Sequence, residues 1–130
     1  MQLSREPRVL DRVEVHVDLM PLRQRLVGRY ELFDSQDRPT GEFVNVTLSG
    51  EWAVRMECSR GEEKRWASEI MMDGSNPNVG TGVYTLANTG QTGHHHVTYR
   101  GTDGSILVDG YNLEAGRRWL ASFLLKRRNG

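Results

Sequence analysis

A chain of 130 residues with 17 basic and 17 acidic side chains is of single-domain length and can bury one core without metals or disulfides. Its zero net charge argues against a nucleic-acid partner, and no run approaches the roughly 20 apolar residues of a membrane helix. Cys58 is the one cysteine, which excludes an internal disulfide.

Residues 1–11 are polar (Gln2, Ser4, Arg5, Glu6, Pro7) and lack the apolar stretch of a secretory signal. They are expected to form a flexible segment before a single domain over 12–128, in a cytoplasmic protein with no membrane partner. Val13-Glu14-Val15-His16-Val17-Asp18-Leu19 alternates four aliphatic with three polar residues. That period of two marks a strand with one dry face, and Pro21 ends it. Residues 21–25 form a connector with room for one helical turn. The next strand, Leu26–Phe33, stops at Asp34-Ser35-Gln36-Asp37-Arg38-Pro39-Thr40-Gly41, which is rich in turn formers. Strands over Glu42–Leu48, Glu51–Ser59 and Lys64–Met72 follow as a meander, the first two joined by Ser49-Gly50.

Asp73–Gly80 is the longest central loop, and Pro77 within it blocks strand pairing. Strands over Thr81–Asn88, His94–Arg100, Ser105–Leu113 and Arg117–Lys126 complete nine runs, with Gly101-Thr102-Asp103-Gly104 as a hairpin signal. The last strand is apolar on both faces (Trp119, Ala121, Phe123 and Leu125 against Leu120 and Leu124), which suits burial on both sides or a homodimer contact. Lys126-Arg127-Arg128 reads as a solvated basic tail. Strands of this number and spacing predict an all-β, antiparallel up-and-down barrel of eight or nine strands, with a two-sheet sandwich as the alternative.

Cys58 is in phase with Trp52, Val54 and Met56 and reads as a small buried hydrophobe. Glu57 and Glu69, with Arg55 and Arg65 on neighbouring strands, read as outward ion pairs. In His94-His95-His96 the outer two share a face, too few ligands for a stable metal site. His95 shares the other face with Val97 and Tyr99, which makes it the candidate pocket histidine. His95 and Tyr99 are the candidate catalytic pair, two polar groups that could address one carbonyl. Aromatic residues recur along the chain as a barrel lumen requires, so Tyr30, Trp52, Trp66, Tyr84, Trp119 and Phe123 are the candidate ligand-binding wall. An ordinary filled core would use the same residues. Asp73–Gly80 and the segment before Val13 are the candidate lids. No nucleophile elbow, phosphate loop, dinucleotide fingerprint or zinc-ligand spacing occurs, and no cofactor is expected.

Gly28-Arg29-Tyr30-Glu31-Leu32 at the head of the meander, with Arg118-Trp119-Leu120 in the last strand, resembles the calycin class of lipocalin-like and avidin-like barrels. Tyr30 stands where the lipocalin signature has tryptophan. Residues Val27–Asp34 followed by Asp37 and Thr40-Gly41 are also similar to the opening of small β-barrel cyclases, the spirotetronate-forming and allene oxide cyclase types. That resemblance implies a linear apolar substrate folded inside the barrel without a cofactor. Three functions follow as expectations: a cofactor-independent cyclase or isomerase of polyketide-like biosynthesis, a lipocalin-like carrier or sensor of a small apolar ligand, and a structural or protein-interaction barrel with a filled core.

Overall fold

The computed structural model describes residues 24–112 and 118–128. Eight strands follow in chain order: β1 (Gly28–Phe33), β2 (Pro39–Leu48), β3 (Ala53–Arg60), β4 (Glu63–Met72), β5 (Val79–Leu86), β6 (Thr92–Arg100), β7 (Ser105–Asn112) and β8 (Arg118–Arg127). Each pairs antiparallel with the next, and β1 pairs back with β8 from Tyr30↔Arg127 to Phe33↔Leu124. That last pairing closes the sheet into an up-and-down barrel, so among the described residues there are no free edges and no second sheet. The sandwich alternative falls on this contact. The expected strand at Val13–Leu19 and the segment 1–11 lie outside the described residues. A short helical turn at residues 24–26 leads into β1.

Alternation in sequence becomes alternation in burial. On β6, Gly93, His95, Val97 and Tyr99 are buried, and each residue between them is partly exposed. The inward rows interlock around the barrel: Tyr30, Val44, Cys58, Trp66 and Leu86 are successive partners across β1 to β5. Val54, Ile70, Gly82, His95, Gly110 and Ala121 align inward on β3 to β8. Val46, Met56, Ile106, Val108 and Leu125 are fully buried with Val44, Val54 and Ile70 of these rows and complete the core. Each such aliphatic side chain contributes roughly 1.5–3 kcal/mol through removal from water. Outside, Arg55 bonds Glu69 at 2.7 Å and lies 3.7 Å from Glu57, the outward pairing expected for these residues.

In this topology successive hairpins sit at alternate ends. The turns at 34–38, 61–62 and 87–91 share one end. Those at 49–52, 73–78 and 101–104 share the other, with the start of β1 and the end of β8. Tight turning there is supported by Gly104 at φ +73°, a conformation that favours glycine. No helix among the described residues is long and apolar enough to cross a membrane.

Candidate functional site

The end holding the start of β1 is plugged. Tyr30, fully buried, donates its hydroxyl to the Leu26 carbonyl at 2.8 Å. Arg127 lies across the Tyr30 ring, 4.9 Å from its centroid, and donates to Tyr30 Oη at 2.8 Å. The same guanidinium donates to the Val27 carbonyl at 3.0 Å and to the Arg25 carbonyl. One side chain thus ties β8 to the turn that precedes β1, where the sequence suggested a solvated tail. Burial pushes the Tyr30 hydroxyl up to about 12, against the opposing effect of Arg127, so it stays protonated and available as a donor. Tyr99 is buried at this end, its hydroxyl beside the Gly104 turn.

The other end holds an apolar cavity of about 220 Å³. It is lined by Trp66 at the start of β4, Tyr84 and Leu86 at the end of β5, His95, Gly110, Ala121 and Phe123. His95 is 5% exposed and sits in an aromatic cage. Tyr84 stacks on it at 4.5 Å, Trp66 meets it edge-on at 4.9 Å, and Phe123 lies at 5.8 Å. Its row neighbours are Gly82 and Gly110, which carry no side chain to crowd it. His95 Nδ1 is buried without a hydrogen-bond partner, as is Ser68 Oγ on the inward face of β4. Burial pushes the His95 imidazole down to about 4, so it is neutral at pH 7. Among the described residues no charged side chain lines the cavity.

Around Trp66 and Leu86 the cavity gives way to a polar rim that includes Glu42, Glu63, Lys64 and Arg65. Arg65 holds Glu42 at 3.1 Å and Glu63 at 2.9 Å. Glu42 also accepts from the Cys58 thiol at 3.6 Å. Burial, and then the neighbouring carboxylate, push that thiol up to about 12. Cys58 is therefore a protonated buried side chain rather than a nucleophile.

Of the residues singled out in sequence, the structure brings four together at one site: Trp66, Tyr84, His95 and Phe123. Tyr30 and Tyr99 are buried at the plugged end instead. His95 and Tyr99 share a face of β6, but four residues of strand place their backbones about 13 Å apart. They do not converge on one carbonyl. Trp52 lies in the β2–β3 turn, where its carbonyl accepts from the Met72 amide at 2.8 Å. The Trp119 side chain and the segment before Val13 lie outside the described residues. The loop 73–78 is at the plugged end, with Asn78 accepting from the Tyr99 amide at 2.7 Å, and so does not cover the cavity. Gly110 and Ala121, which shape the cavity by being small, carried no signal in sequence beyond a glycine inside a strand. No protein family, curated protein or solved structure matches this chain.

Proposed function

We propose that this barrel binds a small, mostly apolar molecule in the cavity beside His95. One observation carries the reading: a buried imidazole nitrogen without a partner, caged by three aromatic rings, on the wall of a cavity whose described lining is uncharged. An unpaired buried polar atom is destabilising by about 1–3 kcal/mol. A ligand that supplies one hydrogen bond to the imidazole and fills the apolar volume recovers that loss. The volume sets the scale. At about 220 Å³ it falls below the roughly 300–1,000 Å³ of drug-sized sites, so a single compact ring fits better than a long folded chain.

A non-catalytic carrier or sensor is the form of this reading that the geometry favours. An imidazole pushed down to about 4 is a weak base at pH 7, far from the matched value that efficient proton transfer uses. A cofactor-independent cyclase or isomerase is the second reading. It is favoured by the neutral imidazole's ability to donate one hydrogen bond to a carbonyl inside an aromatic-walled space. Tyr99 has no part in that reaction. The calycin-like affinity of the barrel and a cytoplasmic location belong to the same proposal.

Titration with p-cresol tests it, followed by tryptophan fluorescence because Trp66 is a cavity wall. Saturable quenching by p-cresol that weakens in His95→Leu to the level given by toluene is the expected result. No saturable change up to the solubility limit of p-cresol, and none with toluene, overturns the binding reading in favour of a filled structural barrel. Turnover of a cyclisable substrate that is abolished in His95→Leu would promote the second reading above the first.

A further inference from the structure

A glycine inside a strand forfeits packing and loses more entropy on folding than other residues, so each one needs a reason. The described strands contain six: Gly28, Gly41, Gly80, Gly82, Gly93 and Gly110. Five have a local reason. Gly28 and Gly41 have φ of +153° and +83°. A Cβ on Gly80 would come within 2.7 Å of Met72 Sδ. One on Gly82 would run into the Glu69 carbonyl, and one on Gly93 into the Tyr84 phenol ring.

Among the described residues nothing gives Gly110 any of these reasons. Its φ is not positive, and a Cβ there would meet the Ala121 carbonyl oxygen at 3.6 Å and His95 Cδ2 at 3.9 Å, both ordinary contacts. A register shift adjoins it, but Gly110↔Ala121 is followed by Tyr111↔Trp119, so the extra residue falls on β8. The bulge makes no demand on Gly110. What Gly110 does have is a place on the cavity wall, between His95 and Ala121 in the same inward row.

We propose that Gly110 is the specificity-determining residue of this cavity, kept bare so that a compact, uncharged one-ring ligand fits against His95. The inference rests on the ligand-binding reading and names the ligand class. Size follows from volume: an apolar cavity of about 150 Å³ accepts benzene, and about 220 Å³ admits one ring with one or two further heavy atoms. Lack of charge follows from the described lining, where no residue is ionised at pH 7. A side chain at 110 would grow into the volume that the ring occupies.

The test compares the full chain with Gly110→Ala and Gly110→Leu, using calorimetric titration with p-cresol and with toluene together with thermal melting. Gly110→Ala should melt at or above the parent temperature and bind p-cresol about fourfold more weakly, the value of one excluded methylene. Gly110→Leu should abolish saturable binding. A Gly110→Ala protein that melts well below the parent would reveal a structural need for glycine and overturn the proposal. So would parent-like p-cresol affinity in Gly110→Ala. If the parent itself binds neither probe, the ligand-binding reading fails first and takes this inference with it.

Discussion

The two ends of the lumen use the same kinds of residue to opposite effect. At the plugged end an aromatic ring with a polar tip, Tyr30, is fully buried, and its hydroxyl both donates to Leu26 and accepts from Arg127. At the cavity end the polar aromatic is His95, equally deep in the barrel, with a nitrogen that bonds to nothing. The first arrangement is what stability alone demands of a buried polar group. The second is a local loss of stability beside open space. The plugged end is scaffold, and the cavity end is the one proposed to take a ligand.

The largest expected effect on that contrast is in the core itself. Tyr30→Ala should lower stability in urea by about 3–5 kcal/mol, the usual range for removing a fully buried aromatic. Phe123→Ala, half-buried beside existing space, should cost less than half as much. Equal losses at the two positions would erase the distinction between the ends.

Acid comes next. His95 has an ordinary value of 6.5 and is pushed down to about 4 in the fold. The unfolded chain therefore binds its proton first as pH falls, so stability should decline from about pH 6.5 to about pH 4 and be fully present above that window. The span corresponds to roughly 3 kcal/mol. Asp34, Asp73 and Asp103 are held below the usual carboxylate value of 3.8 by hydrogen bonds to neighbouring backbone or side-chain groups. Their losses fall at lower pH. The difference between parent and His95→Leu pH–stability curves isolates the histidine, and a difference that is flat between pH 6.5 and 4 would refute the assignment.

Single polar contacts should matter less. His95→Leu removes an unpaired buried nitrogen and should raise stability at pH 7 by about 1–2 kcal/mol while erasing any preference for p-cresol over toluene. Arg127→Met should move stability the other way by about 1–2 kcal/mol, because Tyr30 and two carbonyls each lose a donor. If both substitutions destabilise, His95 has a structural partner and the two ends are alike. The smallest effect belongs outside the barrel. Arg55→Ala breaks contacts with Glu57 and Glu69, both exposed, and should change stability by under about 1 kcal/mol.

Local pattern was enough for the eight described strands to within a few residues at their ends, although Pro39-Thr40-Gly41 and Val79-Gly80, expected in loops, open β2 and β5. Alternation in Lys64–Met72 and His94–Arg100 set out which side chains would face inward, because the pleat has a period of two whatever surrounds it. Glycine, proline and Asx residues marked most of the turns between the runs. It was also enough to bring forward Trp66, Tyr84, His95 and Phe123 as wall candidates. Local pattern failed for Trp52, placed on a strand by its phase with Val54 but held in a turn where Ser49 donates to the Ala53 carbonyl at 3.0 Å. It failed for Arg127, whose partners lie about a hundred residues away.

Which inward residues share a height in the lumen was decided only by the tertiary structure. Face is a property of one strand, but height depends on the register of every strand pair around the closed barrel. That register is what places His95 level with Gly82 and Gly110 and moves Tyr99 to the far end. The closure of β1 on β8, a contact between the two ends of the described chain, supplies the last constraint. A pattern of period two carries no information about it, because the pairing energy is shared between segments that no local window contains.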